Sequence, residues 1–176
     1  VGVTSATKTQ TAQVPGRALL VLQIASRLIA LPAESVIEVV PMAALSRLPG
    51  QPAVLDGFLN LRGAVIPVLR LARLLEVAES EPGLYTPLVV LHTASADFAV
   101  IADKALEIVP VPASAFVRAD EQASFNACAE AQVEVDGRAI AVLSPERLLL
   151  EQERRSIAEF QARMERRLAE LGAGQA

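Results

Sequence analysis

The chain has 176 residues, 52% of them hydrophobic and 20% charged, with 3% aromatic residues and no Trp. That suffices for one domain, or two small ones, with a core of Val, Leu, Ile and Ala. A net charge of −4, no basic stripe and few rings for base stacking exclude nucleic acid as a partner. A single cysteine, Cys128, and a single histidine, His92, exclude an internal disulfide and a His/Cys zinc cluster, and fit a reducing compartment.

Residues 1–17 are rich in Thr, Ala, Gln and Gly, lack the charged start and apolar block of a signal peptide, and read as a disordered lead-in. The chain begins with Val, as a processed or trimmed product would. Ala18 to Ile24 reads as a strand, Ala25-Ser26-Arg27 as a turn and Leu28 to Leu31 as a second strand, together a hairpin. Pro32 to Ser35 breaks the pattern, and Val36 to Val40 resumes as a strand that Pro41 ends. The run Gly57 to Leu69 is apolar apart from Arg62 and predicts two buried strands around a tight bend at Gly63, which takes φ > 0 at no steric cost. Glu76 to Pro87 is a polar, Pro- and Gly-bearing connection. No apolar run reaches the roughly 18 residues of a bilayer span, because Pro, Arg, Glu and Gly interrupt each one.

The chain repeats internally. A shift of about 69 positions lays Leu19-Leu20-Val21-Leu22 over Leu88-Val89-Val90-Leu91, Ala25-Ser26 over Ala94-Ser95, Glu38 over Glu107 and Val40-Pro41 over Val109-Pro110. A slightly different shift lays Gly63 to Leu69 over Gly137 to Leu143, and Arg73-Leu74-Leu75 over Arg147-Leu148-Leu149. In the same way the loop Pro112 to Asn126 corresponds to Ala43 to Leu55. Matched Gly, Ser and Pro punctuate a chain and are not core filler, so this is a duplication. Two copies of some five short strands predict two small closed barrels, the first over about residues 18–80 and the second over about 85–150.

The C-terminal segment is different. Ser144 as N-cap, Pro145 at the first position and Glu146 at the positive helix end predict a helix over 145–171, closed by Gly172. Ile157, Phe160, Met164, Leu168 and Leu171 continue a narrow apolar stripe that begins at Leu150, on a helix of about 38 Å. Two readings stay open: the stripe lies on the barrels of its own chain, or its distal half meets another protein or a second copy.

Little in the chain supports catalysis. His92 aligns with Gln23 in a strand, and Cys128 lies in an Ala-rich apolar stretch that disfavours a thiolate. Glu34, Glu38, Asp103 and Glu107 recur with the repeat, which makes them strand-edge residues of each barrel and not one acid/base site. No P-loop, Gly-x-Gly-x-x-Gly or metal-ligand spacing is present, and no cofactor is expected. A binding module is the outcome. Within it, the second copy carries Asp136-Gly137 where the first has Arg62-Gly63. The fold therefore needs the structural glycines Gly63 and Gly137 but not the arginine, which is free to serve a partner.

The segment Gly57-Phe58-Leu59-Asn60-Leu61-Arg62-Gly63-Ala64-Val65-Ile66-Pro67 resembles the Gly-x-x-Asn-Leu-Arg-Gly-x-x-x-Pro signature of the CheW family, adaptors of bacterial chemosensory arrays. Val36-Ile37-Glu38-Val39 resembles the strand leading into that family's loop, and Phe98 to Lys104 its apolar run ending in Asp. The resemblance spans about Ala18 to Leu150; Arg70 stands where the family often has an acidic residue, and the C-terminal helix is longer than usual. It implies an all-β fold of two intertwined SH3-like five-stranded barrels and a non-enzymatic scaffold. The implied partners are the regulatory domain of a CheA-type histidine kinase and the cytoplasmic hairpin tip of a chemoreceptor. The implied location is cytoplasmic, at membrane-associated receptor arrays without direct membrane insertion. It places Arg62 at the interaction surface, with Asn60, Leu61, Gly57, Val36 and Glu38 beside it. A module of a pili or cyclic-dinucleotide pathway, its helical tail choosing the partner, is a second reading, and a small ligand-binding barrel a third.

Overall fold

The computed structural model describes residues 16–119 and 128–173. The lead-in expected before residue 16 and most of the loop after Arg118 lie outside the described residues. The strands are β1 (Arg17–Ile24), β2 (Arg27–Pro32), β3 (Val36–Pro41), β4 (Leu55–Leu61), β5 (Ala64–Arg70), β6 (Pro87–Leu91), β7 (Phe98–Ile101), β8 (Lys104–Val111), β9 (Val117–Arg118), β10 (Ala129–Val135) and β11 (Arg138–Leu143). A short helix α1 (Leu71–Leu74) follows β5, and a long one, α2 (Glu151–Ala173), ends the described chain.

These strands form a six-stranded sheet in the order β8-β1-β2-β11-β10-β9 and a five-stranded sheet in the order β3-β6-β7-β5-β4. The two halves of the chain are therefore exchanged, as the intertwined fold implied by the family resemblance has it and not as the repeat boundaries alone suggest, and one sheet exceeds five strands. The hairpin β1–β2 joins the second-half strands through β1–β8 and the parallel pair β11–β2, while β6 and β7 join the first-half strands through β3–β6 and the parallel pair β5–β7. Duplication makes this possible, because either copy of a hairpin fits either sheet.

Burial explains why the exchange is favoured. On β1, Leu19 and Val21 enter the core of the six-stranded sheet, while Leu20, Leu22 and Ile24 enter a second core shared by both sheets. On β6, Leu88 and Val90 enter the core of the five-stranded sheet, and Val89 and Leu91 the shared one. Period-two alternation is present but invisible in composition, since both faces of these strands are covered.

The shared core also takes α2. Ile157, Phe160 and Met164 are buried in it, and Leu168 packs against it half-buried, so the stripe lies on its own chain; only Leu150 and Leu171 at its two ends are exposed. The helix begins later than predicted. Pro145–Arg147 is a single 3-10 turn, and Ser144 makes no side-chain cap bond. Leu148 is drawn into the shared core instead. The Leu150 N–H then donates to the Glu153 carboxylate at 2.8 Å, half of a capping box that starts α2 at Glu151. Gly172 does not close the helix, which runs to Ala173.

Gly57 is a structural residue. It sits buried at an irregularity between β4 and β5 with φ +154°, where a Cβ would lie 2.9 Å from Leu45 Cβ and 2.9 Å from the Ser46 carbonyl. It offers no surface to a partner; the segment at Leu45–Ser46, bridged to Phe58, covers it.

Two stability measurements check this packing. Gly57→Ala is expected to cost about 2 kcal/mol, a fall of about 4–8 °C in melting temperature followed by circular dichroism. Phe160→Ala is expected to cost about 3 kcal/mol, independently of protein concentration, as packing within one chain requires.

Candidate partner-binding site

The β4–β5 hairpin turns through Arg62 and Gly63, with Leu61 paired to Ala64. Both turn residues have positive φ, +52° and +91°, which is the type I′ geometry that matches the twist of the flanking strands. The repeat-related turn at Asp136 and Gly137 has +50° and +73°. The glycines are needed, as the sequence reading has it. The structure adds that the preceding residue is constrained as well. Asp tolerates this region, whereas Arg there costs on the order of 1 kcal/mol. Arg62 is thus retained against its backbone preference.

Its side chain is exposed, and Nη2 lies 2.9 Å from Oε2 of Glu38. Glu38 is on β3 and Arg62 follows β4, the two opposite edges of the five-stranded sheet. The ion pair spans the sheet's two edge strands. The structure thereby brings Arg62 and Glu38 together. Asn60 Oδ1 accepts from the Gly63 N–H at 2.9 Å and rigidifies the turn from within. Leu61 is half-buried against the five-stranded sheet's core and Val36 against the shared one. The second copy lacks the bridge, since Glu107 and Asp136 are both acidic.

Strand β3 alternates cleanly. Val36, Glu38 and Val40 are half-buried, while Ile37, Val39 and Pro41 are exposed. On β8, Leu106, Ile108 and Pro110 are exposed in the same way. These triplets are related by the repeat, and each lies on an edge strand of a different sheet. An apolar stripe on an open sheet edge is a liability unless a partner covers it. These stripes were missed in the sequence, although period-two spacing within matched copies of the repeat carries the signal.

A buried charge cluster supports the hairpin from below, and it too went unforeseen. Asp56 on β4 is 3% exposed. Its carboxylate lies 2.9 Å from Arg70 Nη2, 3.4 Å from Arg73 Nη1 and 3.5 Å from Arg47 Nη2. Arg70 also reaches Glu79 Oε2 at 3.3 Å and the Ser80 carbonyl at 3.1 Å. A hydrogen bond from Arg73 to Glu79 holds that guanidinium above its ordinary value. The Ser80 hydroxyl donates to Asp103, whose other oxygen accepts the Ala25 N–H at 2.5 Å. Asp103 thus pins the connection between the repeats to the β1–β2 turn, where Ala25 has φ +52°.

The other ionisable residues do not assemble. Glu34 pairs with Arg17, Glu38 with Arg62, and Asp103 with Ser80. His92 Nδ1 lies 2.7 Å from Asp97 on an exposed loop. Cys128 is buried, and burial pushes its thiol above the ordinary value. Among the described residues no group of three or more His, Cys, Asp and Glu is placed to hold a metal, and no helix is long and apolar enough to cross a membrane.

The profile of the CheW-like domain matches residues 18–153. The chain belongs to the CheW-like domain family. Protein FrzA of Myxococcus xanthus is 38% identical over 81 residues, 46% of this chain and 51% of FrzA, so the matched stretch spans about half of that relative. The scaffolding protein TtCheW of Thermoanaerobacter tengcongensis superposes with a TM-score of 0.73 at 19% identity, over 84% of this chain and 96% of that one, and shares the fold. The CheW-like domain thus ends within the first turn of α2, and the buried stripe of that helix lies beyond it.

Three outcomes are expected. Arg62→Asn relieves the turn and stabilises by about 0.5–1 kcal/mol, a rise of about 1–4 °C in melting temperature, because the exposed ion pair it removes contributes little. Asp56→Asn takes from the buried Arg70 its closest carboxylate, leaving only the longer contact to Glu79, and costs about 3 kcal/mol in urea unfolding. Cys128 reacts with iodoacetamide at pH 8 at least about tenfold slower in the native state than in urea; its neutral thiol stabilises the fold below the unfolded-state value, and that contribution fades as pH rises above it.

Proposed function

We propose that this chain is a non-enzymatic adaptor of a chemosensory system, holding the regulatory domain of a CheA-type histidine kinase and the cytoplasmic hairpin tip of a chemoreceptor in one complex. The observation that carries the reading is the pair of repeat-related apolar stripes, Ile37-Val39-Pro41 and Leu106-Ile108-Pro110, one on each sheet. A catalyst needs one convergent set of groups, whereas a scaffold needs separate faces on a rigid body. Membership of the CheW-like family and the fold shared with a scaffolding protein support the same reading.

Arg62 is the polar anchor of the first face. Held on a rigid turn with its guanidinium exposed beside Glu38, it presents a planar fork to a carboxylate or to helix C-terminal carbonyls. Truncating such a residue at a desolvated contact costs on the order of 2 kcal/mol. Helix α2 already packs against β4 and β5, so an incoming helical tip meets the exposed stripes of β3 and β8 instead. Within α2, burial of Ile157, Phe160 and Met164 leaves Leu171 and part of Leu168 for self-association or a further partner.

Isothermal titration with the purified kinase domain and a receptor tip fragment tests this. Val39→Asp and Ile108→Asp are each expected to weaken one of the two partners by at least about tenfold, and Arg62→Asn to weaken binding while raising stability. Affinities that stay within about twofold in both stripe variants defeat the adaptor reading.

A further inference from the structure

The two faces are related by the repeat, yet one carries an addition. Gly83-Leu84-Tyr85-Thr86 is a closed turn. The Thr86 N–H donates to the Gly83 carbonyl at 3.0 Å, and the Gly83 N–H donates back to the Thr86 hydroxyl at 2.8 Å. Its central residues point outward: Leu84 is 72% exposed and Tyr85, the single tyrosine of the chain, 90%. The turn is held from both sides. Glu79 and Ser80 before it are gripped by Arg70, Arg73 and Asp103. After it, Pro87 opens β6 directly opposite Pro41, the last residue of the β3 stripe. The turn thus extends that stripe beyond its end.

Among the described residues the second face has no counterpart to Tyr85. The shift that superposes the repeats lays Tyr85 on Gly16. Gly16 lies so close to β8 that a Cβ there would sit 2.6 Å from the Val111 carbonyl oxygen. The adjoining Arg17 is taken up by Glu34 and Glu130. At the β8 face a side chain is sterically excluded at the position where the β3 face displays a tyrosine.

Building on the adaptor reading above, we propose that the Gly83–Thr86 turn is a docking knob that assigns the β3 face to its own partner. That partner is a protein surface with an apolar pocket for Leu84 and Tyr85 and a basic rim. The rim follows from charge: Glu81, exposed three residues before Leu84, has no ion pair or hydrogen bond among the described residues, unlike Glu79. An exposed Tyr on a closed turn is ordered before contact, so little entropy is lost on docking, and Tyr is among the residues that dominate interface energies. The knob makes two faces of similar shape non-equivalent, as specificity requires.

The test compares Leu84→Ser/Tyr85→Ser with Val39→Asp and Ile108→Asp in the full chain. Titrations use the CheA-type regulatory domain and the receptor tip fragment, with melting curves to confirm folding. The expected result is a loss of at least about tenfold for the partner that Val39→Asp weakens, and less than about twofold for the one that Ile108→Asp weakens, with a flatter salt dependence in Glu81→Gln. If the double variant binds both partners normally, or weakens both equally, while Val39→Asp still releases one, the knob is overturned and the adaptor reading stands. If neither stripe variant changes any affinity, both fall together.

Discussion

Everything in this molecule rests on strands that are apolar on both faces. A hairpin such as β1–β2, with Leu19 and Val21 on one side and Leu20 and Leu22 on the other, cannot leave either side in water. One side closes a sheet core and the other closes a core shared between the sheets. Exchange of hairpins between the repeats satisfies both demands, and it ties the sheets into one body. A residue such as Leu22 or Leu91, fully buried in the shared core, belongs to neither sheet alone.

That rigidity is what makes the edges useful. The shared core absorbs the buried stripe of α2 and one side of the strands, and most large apolar residues left exposed fall into a stripe on β3, a stripe on β8 and the Leu84–Tyr85 turn, with Val117, Leu150 and Leu171 apart from them. Polar groups reinforce the frame. Asp56 is paired with three arginines, two of which, Arg70 and Arg73, also reach Glu79, Ser80 and Ala53, so the connection between the repeats is fastened to the five-stranded sheet. Asp103 fastens it to the other. The Arg62–Glu38 pair links the two edge strands of one sheet and has no equivalent in its repeat, where Asp136 replaces the arginine. Duplication supplied two similar faces, and small departures made them different.

The Arg62 turn sets backbone preference against side-chain display at one residue. A type I′ hairpin favours Asn or Asp before the glycine, as the second copy has. The first copy accepts an arginine at φ +52° and presents its guanidinium outside. A local rule broken without a packing reason is what the proposed adaptor role of this residue accounts for.

Much of this was legible in the chain itself. The duplication, the hairpins, the Gly63 and Gly137 turns and a long amphipathic C-terminal helix follow from short-range chemistry: strand and helix periodicity, turn residues and matched punctuation. What those signals cannot carry is which strand pairs with which, because a strand with two apolar faces fits either sheet, and only the sum of three cores selects the exchanged arrangement. The same holds for Gly57, whose lack of a side chain matters only once Leu45 and Ser46 lie across it. It holds for α2, whose start moved to Glu151 when Leu148 was drawn into the core. Period and turn were written locally; burial of Ile157, exposure of Ile108 and the meeting of Glu38 with Arg62 were decided by long-range packing, which no local pattern encodes.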